Sequence, residues 1–221
     1  MKNLILQHWR GPLNELTTLS LANIRTYANS IGADHRHVDD VYLEGHSSPC
    51  QKIIMLDEKW DDYDNVVMMD ADMFTRKGMS ENIFEHKGIG RHHGLQKDLR
   101  RNLCRRFPHL GDERYPYWGG SIYKLDRATR QRFRKLLNPV ETLQFSNNYE
   151  DEGIMHRLAV LDKMLIDKDT YLERDMWNKS SFEPDVEDSY IIHIRPRVYK
   201  GRSLKRDKME NYKDLVERNI L

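Results

Sequence analysis

The sequence predicts an α/β sandwich of three layers, with a central, mostly parallel sheet between helices. Three observations carry this expectation. Strand-like and helix-like segments alternate from the first residues onward. The uninterrupted apolar run Val66-Val67-Met68-Met69 suits a strand buried on both faces of a parallel sheet. The length, 221 residues, is enough for one sizeable core, so a single domain over 1–221 is expected.

Each element has its own signal. Residues 3–6 form a short apolar run, a natural first strand, and Gly11-Pro12 breaks it. Leu13, Leu16, Ile24, Tyr27, Ala28 and Ile31 then fall on one helical face, and Gly32 stands where such a helix ends. A second strand is expected over 37–43 and a turn over 45–49. A helix should follow over 50–57 with Ile53, Ile54 and Leu56 inward, then a strand over 63–70. Further on, strands are expected over 117–125 and 190–194, and helices over 127–137 and 152–161. There is no internal repeat and no low-complexity segment.

Composition excludes some functions. Charged residues make up 32% of the chain, but 10% aromatics and clear apolar runs point to a folded protein. Lys plus Arg number 36 against 35 Asp plus Glu, whereas a general nucleic-acid binder carries a basic excess. The stretch 91–106 is locally basic, which suits a solvated helix face, a seat for an acidic acceptor, or a cover over a diphosphate. The two cysteines, Cys50 and Cys104, form no CxxC pair and point to a reducing compartment. The apolar start is too short for a signal peptide or a membrane span, so a cytoplasmic protein without a transmembrane segment is expected.

The strongest chemical signal is Asp70-Ala71-Asp72, which ends the buried strand. In open α/β sheets ligands bind beyond the carboxyl ends of the strands. Two carboxylates there call for a positive partner, and a divalent cation bridging a diphosphate fits best. Three more segments carry candidate chemistry. Trp118-Gly119-Gly120 lies among aromatics at the start of a strand, where a glycine pair lets backbone approach a ligand. Glu150-Asp151-Glu152 precedes a helix, whose dipole favours negative charge. His193 leaves a late strand and is followed by Arg195, Arg197 and Lys200.

The segment from Tyr63 through Asp70-Ala71-Asp72 to Phe74 resembles the aspartate-x-aspartate region of nucleotide-sugar glycosyltransferases with the GT-A fold, most of all the glycogenin-like enzymes of family 8. The run from Met79 to Phe84 is similar to the one that closes this region there. The resemblance implies a Rossmann-like GT-A fold and transfer of a sugar from a nucleoside diphosphate sugar, a UDP-hexose first, to a carbohydrate or glycosylated acceptor. It implies manganese or magnesium, held by Asp70, Asp72 and the late His193. Gln7, His8, Trp9 and Arg10, just past the first strand, would bind the nucleotide, with Lys52, Asp70 and Ala71 beside it. Trp118, Gly119 and Gly120 would line the donor sugar. Lys200 would bind the diphosphate, with Arg195 or Arg197 as alternatives. Asp151, then Glu152, would be the catalytic carboxylates. On this plan residues 1–75 form a nucleotide-binding half and 76–221 an acceptor and catalytic half. Two rival readings are a sugar-phosphate nucleotidyltransferase and a non-catalytic nucleic-acid-binding protein. The first lacks its Gly-rich loop and lysine between 7 and 13, and the second its basic excess.

Overall fold

The computed structural model describes residues 1–92, 94–198 and 205–221, with the backbone alone at 94, 95, 174, 175, 197, 198, 205 and 206. The chain opens with β1 (Asn3–His8), α1 (Glu15–Ser30) and β2 (Asp34–Val38), followed by a buried 3-10 helix, Ser48–Leu56. Then come β3 (Asn65–Met69), β4 (Met73–Thr75), β5 (Gly90–Arg91) and α2 (Gly94–Arg106). β6 (Gly119–Asp126) leads into α3 (Arg127–Leu136), α4 (Pro139–Thr142) and α5 (Glu150–Leu161). The last part holds β7 (Tyr171–Leu172), α6 (Arg174–Trp177), β8 (Lys179–Ser180), β9 (Ile191–His193), β10 (Arg197–Val198), β11 (Lys205–Arg206) and α7 (Lys208–Glu217).

The main sheet runs β2-β1-β3-β6-β5-β7. β1 is parallel to β2 and β3, and β5 to β7; the β3–β6 and β5–β6 pairings are antiparallel. Strand periodicity sorts the core into two sides. Leu4, Leu6, Val66 and Met68 face the 3-10 helix, α3 and α5. Ile5, Val67 and Met69 face α1. The smaller sheet β4-β9-β8 lies on α1's side, and Leu215 of α7 and Ile220 just after it pack against it. This is the expected three-layer sandwich.

Two expected elements are different. The segment expected as a helix over 50–57 is a 3-10 helix from Ser48, buried from Cys50 to Leu56 on every side, with Pro49 in its first turn. The second strand is Asp34–Val38 rather than 37–43, because Asp39-Asp40 ends the pairing with β1. No helix among the described residues is long and apolar enough to cross a membrane.

Burial also sets a pH dependence. Desolvation lowers the pKa of His35, 7% exposed, from its usual 6.5 to about 4. A depressed pKa gives stability that is present above the unfolded value and lost as pH falls. Between about pH 6.5 and pH 4 this histidine should cost about 3 kcal/mol of stability. Urea unfolding at pH 7 and pH 4.5 measures it: His35→Gln should flatten the pH dependence by about that amount, and an unaltered slope refutes the assignment.

Candidate active site

The topology brings the expected chemistry to one edge. β1 and β3 end there because they are parallel, and β6 begins there because it is antiparallel to β3. The Asp70 amide donates to the Ser121 carbonyl at 2.9 Å, which ties the acidic turn to the start of β6. β4 then pairs with β9 in a register that sets Met73 opposite His193, and the Ile194 amide donates to the Asp72 carbonyl at 3.0 Å. Residues more than a hundred apart in sequence thereby meet at an open cleft of about 600 Å³.

At one wall, one ligand atom each from Asp70, Asp72 and His193 all lie within 4.8 Å of one another. His193 Nε2 is 3.1 Å from Asp72 Oδ1 and 3.8 Å from Asp70 Oδ2. Lys208, from the first turn of α7, pairs with Asp72 Oδ2. Burial alone would raise the Asp72 pKa, but His193 and Lys208 outweigh it and hold the carboxyl well below the usual range. Arg195 Nε donates to His193 Nδ1 at 3.3 Å. Two carboxylate oxygens and an imidazole could hold a divalent metal ion.

The floor is a buried charge network. Lys52 Nζ lies 2.9 Å from Asp70 Oδ1 and 3.0 Å from Asp151 Oδ2, and donates to the Gly120 carbonyl at 2.5 Å. Burial by itself would strip its proton, but Asp151 and Asp70 raise its pKa. Asp151 is 2% exposed, and burial, outweighing Lys52, pushes it up to about 7. The Tyr123 hydroxyl donates to Asp151 Oδ2 at 2.9 Å. Glu152, less buried, accepts the Gly120 amide at 2.8 Å, and burial raises its pKa too. All three acids of 150–152 stand in the first turn of α5, whose dipole favours them. The chain enters it through two left-handed residues, Asn147 in the preceding loop and Glu150 at its first position.

Gly120 is required here for a steric reason. A Cβ on it would sit 2.5 Å from Asp151 Oδ2, so any side chain would push the carboxylate off the strand. A Cβ on Gly119 would meet Gln96 Nε2 at 3.1 Å.

The cleft is lined by His8, Trp9, Arg10, Lys52, Asp70, Ala71, Asp72, Gly119, Gly120, Asp151, Glu152 and His193, all expected from the sequence. Trp9 is half-buried at the rim, its indole donating to the Pro12 carbonyl at 3.2 Å. Burial keeps the His8 pKa low. Two expected donor-binding residues do not line the cleft. Trp118 is fully buried in the core, its indole donating to the Thr170 carbonyl at 3.1 Å. Gln7 is fully buried behind the acidic turn. Lys200 and the stretch around it lie outside the described residues. Lys208, Arg91, Gln96 and Tyr117 also line the cleft and were not singled out as site residues. Gln96 lies in the basic stretch over 91–106, which does reach the site, but nothing in its spacing marks which members do.

No protein-family model matches the chain, and no curated protein matches its sequence. Among solved structures, it is similar to a glycosyltransferase involved in the glycosylation of the major capsid of PBCV-1. The TM-score is 0.59 at 10% identity, over 98% of this chain and 100% of that one. The chain therefore shares its fold with that protein, a GT-A, Rossmann-like α/β sandwich.

Proposed function

We propose that the protein is a metal-dependent glycosyltransferase that moves a sugar, a hexose first, from a nucleoside diphosphate donor to a hydroxyl of a carbohydrate or glycosylated acceptor. The observation that carries this reading is the convergence of Asp70, Asp72 and His193 beside the Lys52–Asp151 network, in one cleft of a glycosyltransferase-like fold. Trp9 and Arg10 would take the base and ribose at the rim. A divalent cation held by Asp70, Asp72 and His193 would neutralise the departing diphosphate. Arg195 and Lys208, which line the cleft beside that triad, would add positive charge there. The sugar would lie over Gly119 and Gly120. Gln96 Oε1, a buried polar atom with no hydrogen-bond partner among the described residues, belongs to a residue lining the same cleft and suits a ligand rich in hydroxyls. Residues 1–75 would mainly serve the nucleotide and 76–221 the acceptor, with His193 crossing back to complete the metal shell.

Calorimetry with a panel of UDP- and GDP-sugars tests the reading. UDP-hexoses should bind in manganese, and EDTA should abolish that binding until manganese is restored. Undiminished binding in metal-free buffer refutes the metal, and binding of GDP-sugars alone refutes the base.

A further inference from the structure

Gln7 was expected at the nucleotide, yet its side chain points into the protein and ends on the metal-binding turn. Gln7 Nε2 donates to the Asp70 carbonyl at 3.1 Å and to Ser20 Oγ at 3.0 Å. Ser20 Oγ donates in turn to the Met73 carbonyl at 2.7 Å. On its other side Gln7 Oε1 meets His35 Nε2 at 3.0 Å. The directions are forced. A carbonyl only accepts, so the amide nitrogen of Gln7 faces Asp70, its oxygen faces His35, and His35 Nε2 must donate. Gln7 and Ser20 are fully buried, and His35 nearly so. The chain therefore runs one way, from an imidazole on β2 through a carboxamide on β1 and a hydroxyl on α1.

Its two endpoints bracket the acidic turn. Asp70 and Met73 are the first and last residues of the tetrapeptide carrying both aspartates, and each gives its carbonyl to this chain. The turn's own closing bond, the Met73 amide to the Asp70 carbonyl, is long at 3.3 Å. The side-chain clamp thus contributes the shorter contact at each end.

We infer that Gln7 and Ser20 are positioning residues that clamp the two ends of the Asp70-Ala71-Asp72 turn and so fix the spacing of its carboxylates for a divalent cation. This rests on the metal-binding reading proposed above. Groups that orient metal ligands typically contribute 10–100-fold to affinity.

The test is manganese affinity of the full chain without nucleotide, read by electron paramagnetic resonance, alongside the melting temperature. Gln7→Met keeps the volume and removes both donations; Ser20→Ala removes the bond to Met73 and the acceptor for Gln7 Nε2, but leaves the Gln7 donation to Asp70. Each should weaken manganese binding at least about tenfold. Tyr63→Phe serves as a control, because it removes a buried-side bond to Asp34 remote from the turn. It should lower the melting temperature and leave manganese affinity within about twofold. Should Gln7→Met fail to fold, Ser20→Ala still decides. Manganese affinity equal to wild type in the folded variants overturns the clamp while leaving the metal centre standing. Affinity that merely follows melting temperature, Tyr63→Phe included, also overturns it. A wild-type protein that binds no manganese overturns the metal centre itself, and the clamp with it.

Discussion

Asp72→Asn should weaken manganese binding by at least about 100-fold, because groups that only support a ligand already contribute 10–100-fold. Asp72 is proposed as a direct ligand: its Oδ1 is 3.1 Å from His193 Nε2, and its side chain is only 15% exposed. Asparagine keeps the shape and the backbone bond from Ile194 to residue 72, so the β4–β9 pairing should survive. What disappears is one negative charge where a cation needs it. Lys208 would then lose its partner and add repulsion. Donor binding should fall with the metal, since the diphosphate is proposed to be held through it. Manganese titration by calorimetry, with and without UDP, measures both effects. Wild-type affinity in Asp72→Asn would remove this residue from the metal shell.

Much of this site was legible in the chain because its strongest cues are local. Val66-Val67-Met68-Met69 reads as a doubly buried strand, and Asp70-Ala71-Asp72 must then sit at its carboxyl end. His193 was legible for the same reason, at the end of an apolar run. The two misplaced residues show where local cues fail. Ile5 faces α1, so Gln7, two residues on in the same strand, faces it too and lies beneath the turn. Trp118 precedes β6, and its ring packs into the core cluster, with its indole held by the Thr170 carbonyl. Aromatic and amide side chains near a ligand edge invite a binding role; counting by twos along β1 corrects Gln7, whereas the place of Trp118 is set by the segment carrying Thr170. Lys208 and Gln96 are different. Lys208 reaches Asp72 across 136 positions through the packing of α7, and no spacing rule encodes that contact. The segment from Ser48 carries helical spacing and is wound as a 3-10 helix, a distinction that apolar spacing alone does not make.

Asp151→Asn should cut turnover by on the order of 10² to 10⁴ while leaving donor affinity nearly unchanged, the loss typical of a positioned general base. Asp151 lines the cleft, and burial raises its carboxyl to about 7, the range in which a base works at neutral pH. The direction of the pH effect follows. A base acts only when deprotonated, so the wild-type rate should climb as pH rises through about 7, and the variant should lose that limb. Asparagine can still accept from Tyr123, and Lys52 keeps Asp70 and the Gly120 carbonyl, so the floor of the cleft should stay in place. Glu152 is the competing carboxylate, more open and fixed by the Gly120 amide. Glu152→Gln separates the two. With Asp151 as the base, Glu152→Gln keeps the acid limb and loses less rate. Should Asp151→Asn turn over at the wild-type rate with its limb intact, Asp151 serves only to hold Lys52. The deprotonating group would then be Glu152, and Glu152→Gln should abolish the limb instead. Single-turnover rates across pH 5.5 to 8.5, paired with donor binding by calorimetry, distinguish the two assignments.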